Sequence, residues 1–163
     1  MKTLLIVFHS RTGGTRQMAE AASRGAAAET GVRTRLVQAA DATGADVLAA
    51  DGYIFATPEN LAAMAGPTKD FFDRSYYDAL DRINGRPYAM LICAGSDGTN
   101  AARQIQRIAT GWRLRAVAEP LIVCTQAQMP ERILAPKTIG PADLARCEEL
   151  GSALAAGLAA GIF

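Results

Sequence analysis

The N-terminal stretch, Lys2 to Glu20, constrains the fold of this chain more than any other segment. It opens with Leu4 to Phe8, a continuous apolar run that is too short for a helix and is typical of a parallel strand buried on both faces. A run of good helix formers, Gln17 to Ala28, follows. The loop between them is rich in hydroxyls and glycines and comprises Ser10, Arg11, Thr12, Gly13, Gly14 and Thr15. The order strand, loop, helix predicts the first unit of an α/β protein.

Two roles are open for this first loop. Several backbone N–H groups and the positive end of a helix dipole meet at such a place, so the loop can hold a phosphate monoester without a lysine. It can equally be an ordinary turn in which Thr12 or Thr15 caps the helix. The loop alone does not distinguish a phosphate site from a capped turn.

Composition limits the classes of protein to consider. A chain of 163 residues with 50% apolar and 20% charged residues predicts one folded domain over residues 1–163. The net charge is +1 and the basic residues are scattered, which argues against a nucleic-acid surface, membrane insertion or a polyanion partner. Cys93, Cys124 and Cys147 are far apart, so we expect reduced core thiols and no metal. With no signal-peptide pattern, these features predict a cytoplasmic protein.

Apolar strands and helices alternate along the rest of the chain. Val32 to Val37 alternates apolar and basic residues, the pattern of a half-exposed edge strand, whereas the later strands read as fully buried. The helices are recognised by apolar residues at helical spacing, such as Ile105, Ile108, Ala109 and Trp112. The further predicted strands are Gly52–Ala56, Tyr88–Ala94 and a strand within Val117–Thr125 whose buried portion is LIVCT, and the further helices include Thr68–Leu80 and Pro141–Ala160.

The connecting segments differ in character. Asp41 to Asp51 reads as a loop with a short helical turn, and Thr57 to Gly66 reads as a loop because Pro58 cannot donate to a strand ladder. Gly95 to Asn100 is a glycine loop in which Thr99 or Asn100 caps the next helix. Gln126 to Ile139 has no clear period and is expected to be a long loop, either a lid or a subunit contact.

The last helix carries a row of small residues, Gly151, Ala155 and Ala159. This row permits close packing on the sheet or on another subunit.

Alternating strands and helices predict an open parallel sheet with helices on both faces. Ligands of such sheets bind outside the carboxyl ends of the strands. Three loops fall there: Ser10 to Thr15, Thr57 to Gly66, and Ala94 to Thr99. They form one site only if the first, third and fourth predicted strands are neighbours.

Rival chemistries on similar sheets lack required residues. The first loop has no G-x-G-x-x-G for a dinucleotide, no lysine after its glycines for a P-loop, and no cysteine for a low-molecular-weight tyrosine phosphatase. The third strand ends in Ala56 and Thr57, where a response regulator needs an aspartate. His9 is the only histidine and has no partners for nucleophilic or metal chemistry, so we expect it to pack near the loop.

Three segments together resemble the flavodoxin-like superfamily, specifically its NAD(P)H-dependent FMN reductase and quinone reductase branch with the WrbA-type proteins. The segments are FHSRTGGTRQMAEAASRGA, ATPENLAAMAGPTKDFFDR and ICAGSDGTNAARQI. The resemblance covers nearly the whole chain. It implies a single-domain, three-layer α/β sandwich with a five-stranded parallel sheet in the order 2-1-3-4-5, and a noncovalently bound FMN.

The resemblance also implies which residues hold the cofactor. The phosphate loop would be Ser10, Arg11, Thr12, Gly13, Gly14 and Thr15. The loop along the edge of the isoalloxazine ring would supply Thr57, Pro58, Glu59, Asn60 and Met64, and the loop near its pyrimidine end Ala94, Gly95, Ser96, Asp97 and Gly98. Glu59 can instead face solvent, and Asp97 can instead be a turn residue that bonds its own backbone.

Departures from the pattern bear on the activity. Electron-carrier flavodoxins are strongly acidic and usually stack an aromatic residue from the loop after the fourth strand, but here that loop reads GSDGTN and the charge is balanced. This favours an enzyme that transfers hydride from NAD(P)H through FMN to a quinone or similar small acceptor, with no catalytic protein residue. A one-electron carrier and a flavin-binding regulatory protein with little turnover remain alternatives. The resemblance implies a homodimer or homotetramer.

Overall fold

The computed structural model describes residues 1–163 and contains seven strands and six helices. The strands are β1 (Lys2–Phe8), β2 (Val32–Gln38), β3 (Gly52–Asn60), β4 (Ala63–Met64), β5 (Pro87–Ala94), β6 (Arg115–Ala116) and β7 (Leu121–Cys124). The helices are α1 (Gly14–Ala27), α2 (Gly44–Ala49), α3 (Gly66–Ala79), α4 (Thr99–Gly111), α5 (Pro130–Leu134) and α6 (Pro141–Ala160).

The main sheet is parallel and has the predicted order. Its strands run β2-β1-β3-β5-β6, and β7 pairs with β5 further along the same edge. The structure has two strands more than the predicted five: β4, which forms a hairpin with β3, and β6, which precedes the segment Val117–Thr125. The strand expected within that segment is β7, at Leu121–Cys124. β6 pairs with the start of β5 and β7 with its end, while the intervening residues include Pro120, which has no N–H to donate.

Side chains of alternate strand residues build a separate core on each face of the sheet. Leu4 and Ile6 face α1 and α6, whereas Leu5 and Val7 face α2, α3 and α4. The second core contains a cluster of aromatic residues, in which the ring centroids of Phe72 and Phe55 lie 4.9 Å apart. Helices therefore cover both faces, which confirms the three-layer sandwich.

The segment predicted as a loop over Thr57–Gly66 is mostly ordered as a hairpin, so that prediction is wrong. β3 continues through Pro58 to Asn60, and β4 returns antiparallel to it, with Glu59 opposite Met64. The two turn residues, Leu61 and Ala62, have φ angles of 50° and 60°. Consecutive positive φ angles give the type I′ turn that matches strand twist, although without the glycine usual there.

Several smaller expectations also need correction. Cys93 and Cys147 are buried free thiols as expected, but Cys124 is exposed. The segment Gln126–Ile139 contains the short helix α5.

No helix of this chain has both the length and the apolar character needed to cross a bilayer.

The small residues of α6 pack on another helix of the same chain. A Cβ added at Gly151 would lie 1.9 Å from the carbonyl oxygen of Ala22 in α1, and one added at Gly25 would lie 1.9 Å from that of Glu148. Ala155 is buried, whereas Ala159 is exposed. Helices α1 and α6 therefore meet backbone to backbone, which only glycine at these positions allows.

Candidate functional site

A cleft of about 840 Å³ opens at the carboxyl ends of β1, β3 and β5. It lies beside the boundary between β1 and β3, where the strand order of the sheet reverses, and this is the usual ligand position in this architecture. All three predicted loops contribute to it. The predicted site residues that line the cleft are Ser10, Arg11, Thr12, Gly14, Thr15, Pro58, Glu59, Asn60, Ala94, Gly95 and Ser96.

The first loop leaves the N-terminus of α1 without a side-chain cap. Gly13 occupies the cap position with φ 96°, and its N–H donates to Ser10 Oγ at 3.1 Å. The first bond of the helix runs from Gln17 N–H to the Gly13 carbonyl, so the N–H groups of Gly14, Thr15 and Arg16 have no acceptor within the helix. Neither Thr12 nor Thr15 caps the helix, which removes the capped-turn alternative.

Thr15 carries a buried hydroxyl with no partner. The residue is 1% exposed and lines the cleft, and its Oγ1 atom has no partner within hydrogen-bonding geometry, although it lies close enough to the Cys93 sulfur to lower the pKa of that thiol. A buried polar group left unpaired costs roughly 1–3 kcal/mol. An anionic oxygen in the cleft would relieve this cost by accepting a hydrogen bond from the Thr15 hydroxyl. It would also accept hydrogen bonds from the free N–H groups at the same end of the helix. The donor set therefore fits a phosphate monoester.

The segment after β7 is fastened to this first loop. The Gln17 side chain donates from Nε2 to the carbonyls of Gly13 (3.0 Å) and Lys137 (2.7 Å), and its Oε1 accepts from Ile139 N–H at 3.0 Å. The Lys137 N–H donates to the Thr12 carbonyl at 2.8 Å. The expected lid or subunit contact is thus a wall of the cleft, to which it contributes Ala127, Ile133, Leu134 and Lys137.

The second loop is stiffened from behind by Thr57. Its hydroxyl is buried, accepts from Ala65 N–H at 3.1 Å and from the Thr68 hydroxyl at 3.1 Å, and donates to the Pro58 carbonyl at 3.0 Å. The N–H of Met64 donates to Gln104 on α4 at 2.9 Å. Thr57 and Met64 therefore hold the hairpin and do not line the cleft.

Glu59 connects the second loop to the third. Its carboxylate accepts from Gly98 N–H at 2.8 Å and from Ala101 N–H at 3.1 Å, so it caps α4 from the neighbouring strand. A negative charge at a helix N-terminus is favourable. Gly98, with φ 90°, occupies the cap position that was expected for Thr99 or Asn100. Glu59 thus lines the cleft with both oxygens already bonded, and does not simply face solvent.

Asp97 was predicted to be either a cofactor-binding residue or a turn residue, and in the structure it is a turn residue. Its Oδ1 accepts from the Thr99 N–H at 3.2 Å and from the Thr99 hydroxyl at 2.8 Å. Asp97, Gly98 and Gly13 shape the loops around the cleft without lining it. Ala94, Gly95 and Ser96 supply the lining of the third loop.

The electrostatics of the cleft are simple at neutral pH. Burial, together with the charge of Arg11, lowers the pKa of His9, which is therefore uncharged. Burial raises the pKa of Cys93 to about 11, against the opposing effects of Lys137 and the Thr15 hydroxyl, so its thiol stays protonated. The charged groups that line the cleft are then two cations, Arg11 and Lys137, and the engaged carboxylate of Glu59.

Part of the cleft lining was not predicted from the sequence. Leu61 and Ala62 lie within the predicted loop Thr57–Gly66 but were not predicted to be site residues. Lys137 lies in Gln126–Ile139, which shows no hydrophobic periodicity. No chain-local signal marks Lys137, because only tertiary packing brings it to the first loop. The other lining residues that were not predicted are His9, Gly66, Pro67, Cys93, Thr125, Ala127, Ile133 and Leu134.

Metal chemistry has no support in the arrangement of side chains. No group of three histidine, cysteine or acidic residues is placed to hold a metal ion.

Comparison with known proteins gives a consistent family signal. Residues 37–128 match the sequence profile of the family described as NADPH-dependent FMN reductase. A flavodoxin of Aquifex aeolicus is 36% identical over 86 residues, covering 53% of this chain and 46% of that protein. An NAD(P)H dehydrogenase (quinone) of Acidithiobacillus ferrooxidans is 30% identical over 95 residues, covering 46% of this chain and 48% of that protein. The chain spans about half the length of these curated relatives.

Solved structures agree in fold at low identity. A flavodoxin from the domain Archaea superposes with a TM-score of 0.77 at 18% identity, covering 96% of this chain and 98% of that one. A WrbA-like flavodoxin from Agrobacterium tumefaciens gives 0.74 at 20% identity, covering 99% of each chain. Both likenesses concern the fold alone.

Proposed function

We propose that this chain, which belongs to the family of NADPH-dependent FMN reductases, binds FMN in the cleft and transfers reducing equivalents from NAD(P)H to a quinone or similar small acceptor. The observation that carries the proposal is the uncapped N-terminus of α1 beside the orphaned Thr15 hydroxyl. Together they are built to bind the phosphate of the cofactor. The proposal treats residues 1–163 as one FMN-binding domain.

The residues of the first loop would hold the phosphate group. The N–H groups of Gly14, Thr15 and Arg16, together with the hydroxyls of Ser10, Thr12 and Thr15, can surround a dianion. The second and third loops would hold the ring, with Pro58 to Asn60 along one edge and Ala94 to Ser96 along another. Thr57, Met64, Asp97 and Gly98 would act indirectly, through the hairpin and the start of α4.

When bound, FMN supplies the hydride-transfer chemistry itself. The side chains around the cleft then need only to bind and orient. Glu59 has both oxygens committed to the start of α4, and His9 is neutral at pH 7, so neither is a general base or acid in this arrangement. This agrees with a mechanism that requires no catalytic protein residue.

The mouth of the cleft favours an apolar acceptor. Leu61 and Leu134 are exposed, and both line the cleft together with Ile133. Exposed large aliphatic side chains beside a cleft are an expected feature of a site for an apolar ring. A quinone fits this surface better than a charged acceptor does.

A one-electron carrier is the second candidate, because one curated relative is named a flavodoxin. The net charge of +1 and the lack of any Phe, Tyr or Trp among the lining residues favour the reductase. Cytoplasmic location and assembly into a homodimer or homotetramer remain parts of the proposal, and the three free thiols agree with a reducing compartment.

The test begins with FMN binding. Quenching of flavin fluorescence should show saturable binding at micromolar concentrations, and NADPH or NADH should then bleach the visible absorbance without oxygen, with recovery on adding a soluble quinone. Absence of FMN binding would refute both the reductase and the carrier. Binding without bleaching would refute the reductase alone.

A pair of variants tests the phosphate site itself. Thr15→Val should weaken FMN binding about 10- to 100-fold, since a hydrogen bond to a charged group contributes roughly 1.5–3 kcal/mol. The same change should raise the melting temperature of the protein without FMN, because it removes a buried unpaired hydroxyl. Thr34→Val on β2 is the matched control: its hydroxyl is also buried and unpaired but lies outside the cleft, so FMN affinity should not change.

A further inference from the structure

We propose that Lys137 supplies the cationic partner of the FMN phosphate, and that Gln17 positions it there. This inference rests on the proposed function, because it assumes that the cleft binds FMN. Neither residue belongs to the three loops that the sequence resemblance identifies. The segment that carries Lys137 reaches the first loop only through the tertiary fold.

Lys137 has no carboxylate partner. The chain has three lysines, of which Lys2 pairs with Asp51 at 3.1 Å and Lys69 pairs with Asp73 at 2.6 Å. Lys137 makes no ion pair, although it is half-buried and lines the cleft. A half-buried cation that faces a cleft without a counter-ion is suited to an anionic ligand.

The ammonium group is held in place with one donor to spare. Nζ donates to the carbonyls of Ile133 (2.9 Å) and Ala135 (2.6 Å) at the end of α5. An ammonium carries three N–H donors, so the third remains for a ligand. The flexible side chain is therefore partly ordered before any anion arrives, which reduces the entropy lost on binding.

Backbone contacts bring Lys137 to the phosphate-binding end of α1. Its N–H donates to the Thr12 carbonyl, and a Cβ added at Gly14 would lie 3.4 Å from Lys137 Cβ. The charge of Lys137 also counteracts the effect of burial on the pKa of Cys93, which lies beneath Gly14. The ammonium thus acts on the same end of the cleft as the orphaned Thr15 hydroxyl.

Gln17 makes this placement specific. Its amide bonds the first loop through Gly13 and bonds both sides of the Lys137 segment, through the carbonyl of Lys137 and the N–H of Ile139. One side chain therefore fixes the distance between the phosphate loop and the lysine. Gln17 touches no reacting atom, so it is a positioning residue.

Arg11 is the competing cation. It also lines the cleft and forms no ion pair, but its side chain is exposed. Water and salt screen an exposed charge more strongly than a half-buried one. Lys137 should therefore contribute more than Arg11 to the preference for a phosphorylated flavin.

The experiment compares two flavins that differ only in the phosphate. Dissociation constants for FMN and riboflavin are measured by fluorescence quenching for the wild type, Lys137→Met, Lys137→Arg, Arg11→Gln and the charge-matched surface control Lys69→Met. We expect Lys137→Met to weaken FMN binding about 10- to 100-fold and to leave riboflavin binding within about twofold. Lys137→Arg should retain most of the preference for FMN, and Lys69→Met should change neither constant.

Gln17 and inorganic phosphate provide the second measurement. Gln17→Leu should reduce the ratio of riboflavin to FMN dissociation constants in the same direction as Lys137→Met, but less. Inorganic phosphate should raise the melting temperature of the wild type, and this shift should shrink in Lys137→Met. A Gln17 variant that weakens both flavins equally would show that the residue only maintains the fold, which refutes the positioning role.

The outcomes separate this inference from the proposed function. If the wild type binds neither flavin, the proposed function fails and the inference fails with it. If the wild type prefers FMN but Lys137→Met keeps that preference, or if only Arg11→Gln abolishes it, the inference is overturned while the proposed function stands.

Discussion

Replacing Gly151 with alanine probes the contact between α1 and α6, where the two backbones meet. The added Cβ would lie 1.9 Å from the Ala22 carbonyl oxygen, 2.7 Å from its carbonyl carbon and 2.9 Å from its Cα. Real Cβ atoms essentially never come closer than 3.0 Å to another atom, so the helices must separate by about 1 Å or more. The obstructing atoms are backbone and cannot rotate away.

The expected cost follows from two opposing effects. Overpacking of a well-packed core typically costs about 1–3 kcal/mol, and the rigid obstruction at Gly151 places this change at the upper end. Alanine recovers up to about 1 kcal/mol through its higher helix propensity. We therefore expect a net loss of about 2 kcal/mol, which corresponds to roughly 4–8 °C in melting temperature for a chain of this size.

Thermal melting followed by circular dichroism and urea unfolding would measure this loss. Gly111→Ala is the matched control, because Gly111 ends α4 and an added Cβ there meets no atom within 4 Å. The control should be neutral or slightly stabilising. Gly25→Ala should resemble Gly151→Ala, and the double variant should cost less than the sum, since one separation of the helices accommodates both methyl groups. A melting temperature for Gly151→Ala at or above that of the wild type would refute the reasoning.

Three further perturbations test other parts of the structure. Iodoacetamide should modify Cys124 and spare the two buried thiols. The reaction should be slow at pH 7, because partial burial and the charges of Asp97 and Glu59 raise the pKa of Cys124. Peptide mass spectrometry that finds Cys93 modified instead would contradict this prediction. Glu59→Gln should reduce the free energy of unfolding in urea by about 1–2 kcal/mol by weakening the cap of α4, whereas the exposed control Glu119→Gln should change it little. Asp46→Asn should destabilise the protein at pH 7, and this destabilisation should shrink as the pH falls: burial raises the pKa of Asp46, yet bonds from Thr43 and Arg35 lower it overall, so its contribution is present above about pH 4 and is lost as the pH falls through the lowered pKa. A difference in urea midpoint that stays constant or grows as the pH is lowered would contradict this assignment.

The approximate positions of most helices and strands were predictable because their signals are local. Continuous apolar runs marked β1, β3 and β5, and Pro141 marked the start of α6 at the observed residue. The hairpin over Asn60–Met64 was missed because proline and small residues usually break strands. Here the backbone of Leu61 and Ala62 adopts positive φ, and contacts from Thr57 and Gln104 stabilise that conformation.

The candidate site was predictable only in outline. The three loops were found because glycine, proline and hydroxyl residues follow strands at the same sheet edge. The separation of residues that line the cleft from residues that hold its loops depended on side-chain contacts, as Thr57 and Glu59 illustrate. Lys137 was missed because it is 120 positions from Gln17 in the sequence. The hydrogen bond from the Gln17 side chain to the Lys137 carbonyl forms only in the folded chain.

The sequence by itself determined that this is an alternating α/β chain with loops suited to a phosphate at the ends of its strands. Those properties follow from apolar periodicity and from the turn chemistry of neighbouring residues, which act over a few positions. Only the tertiary structure decided that α1 begins without a cap, that Thr15 is buried without a partner, and that the segment after β7 brings Lys137 to the same place. Burial and hydrogen bonding between distant segments depend on how the helices pack across the sheet, and no local pattern encodes them.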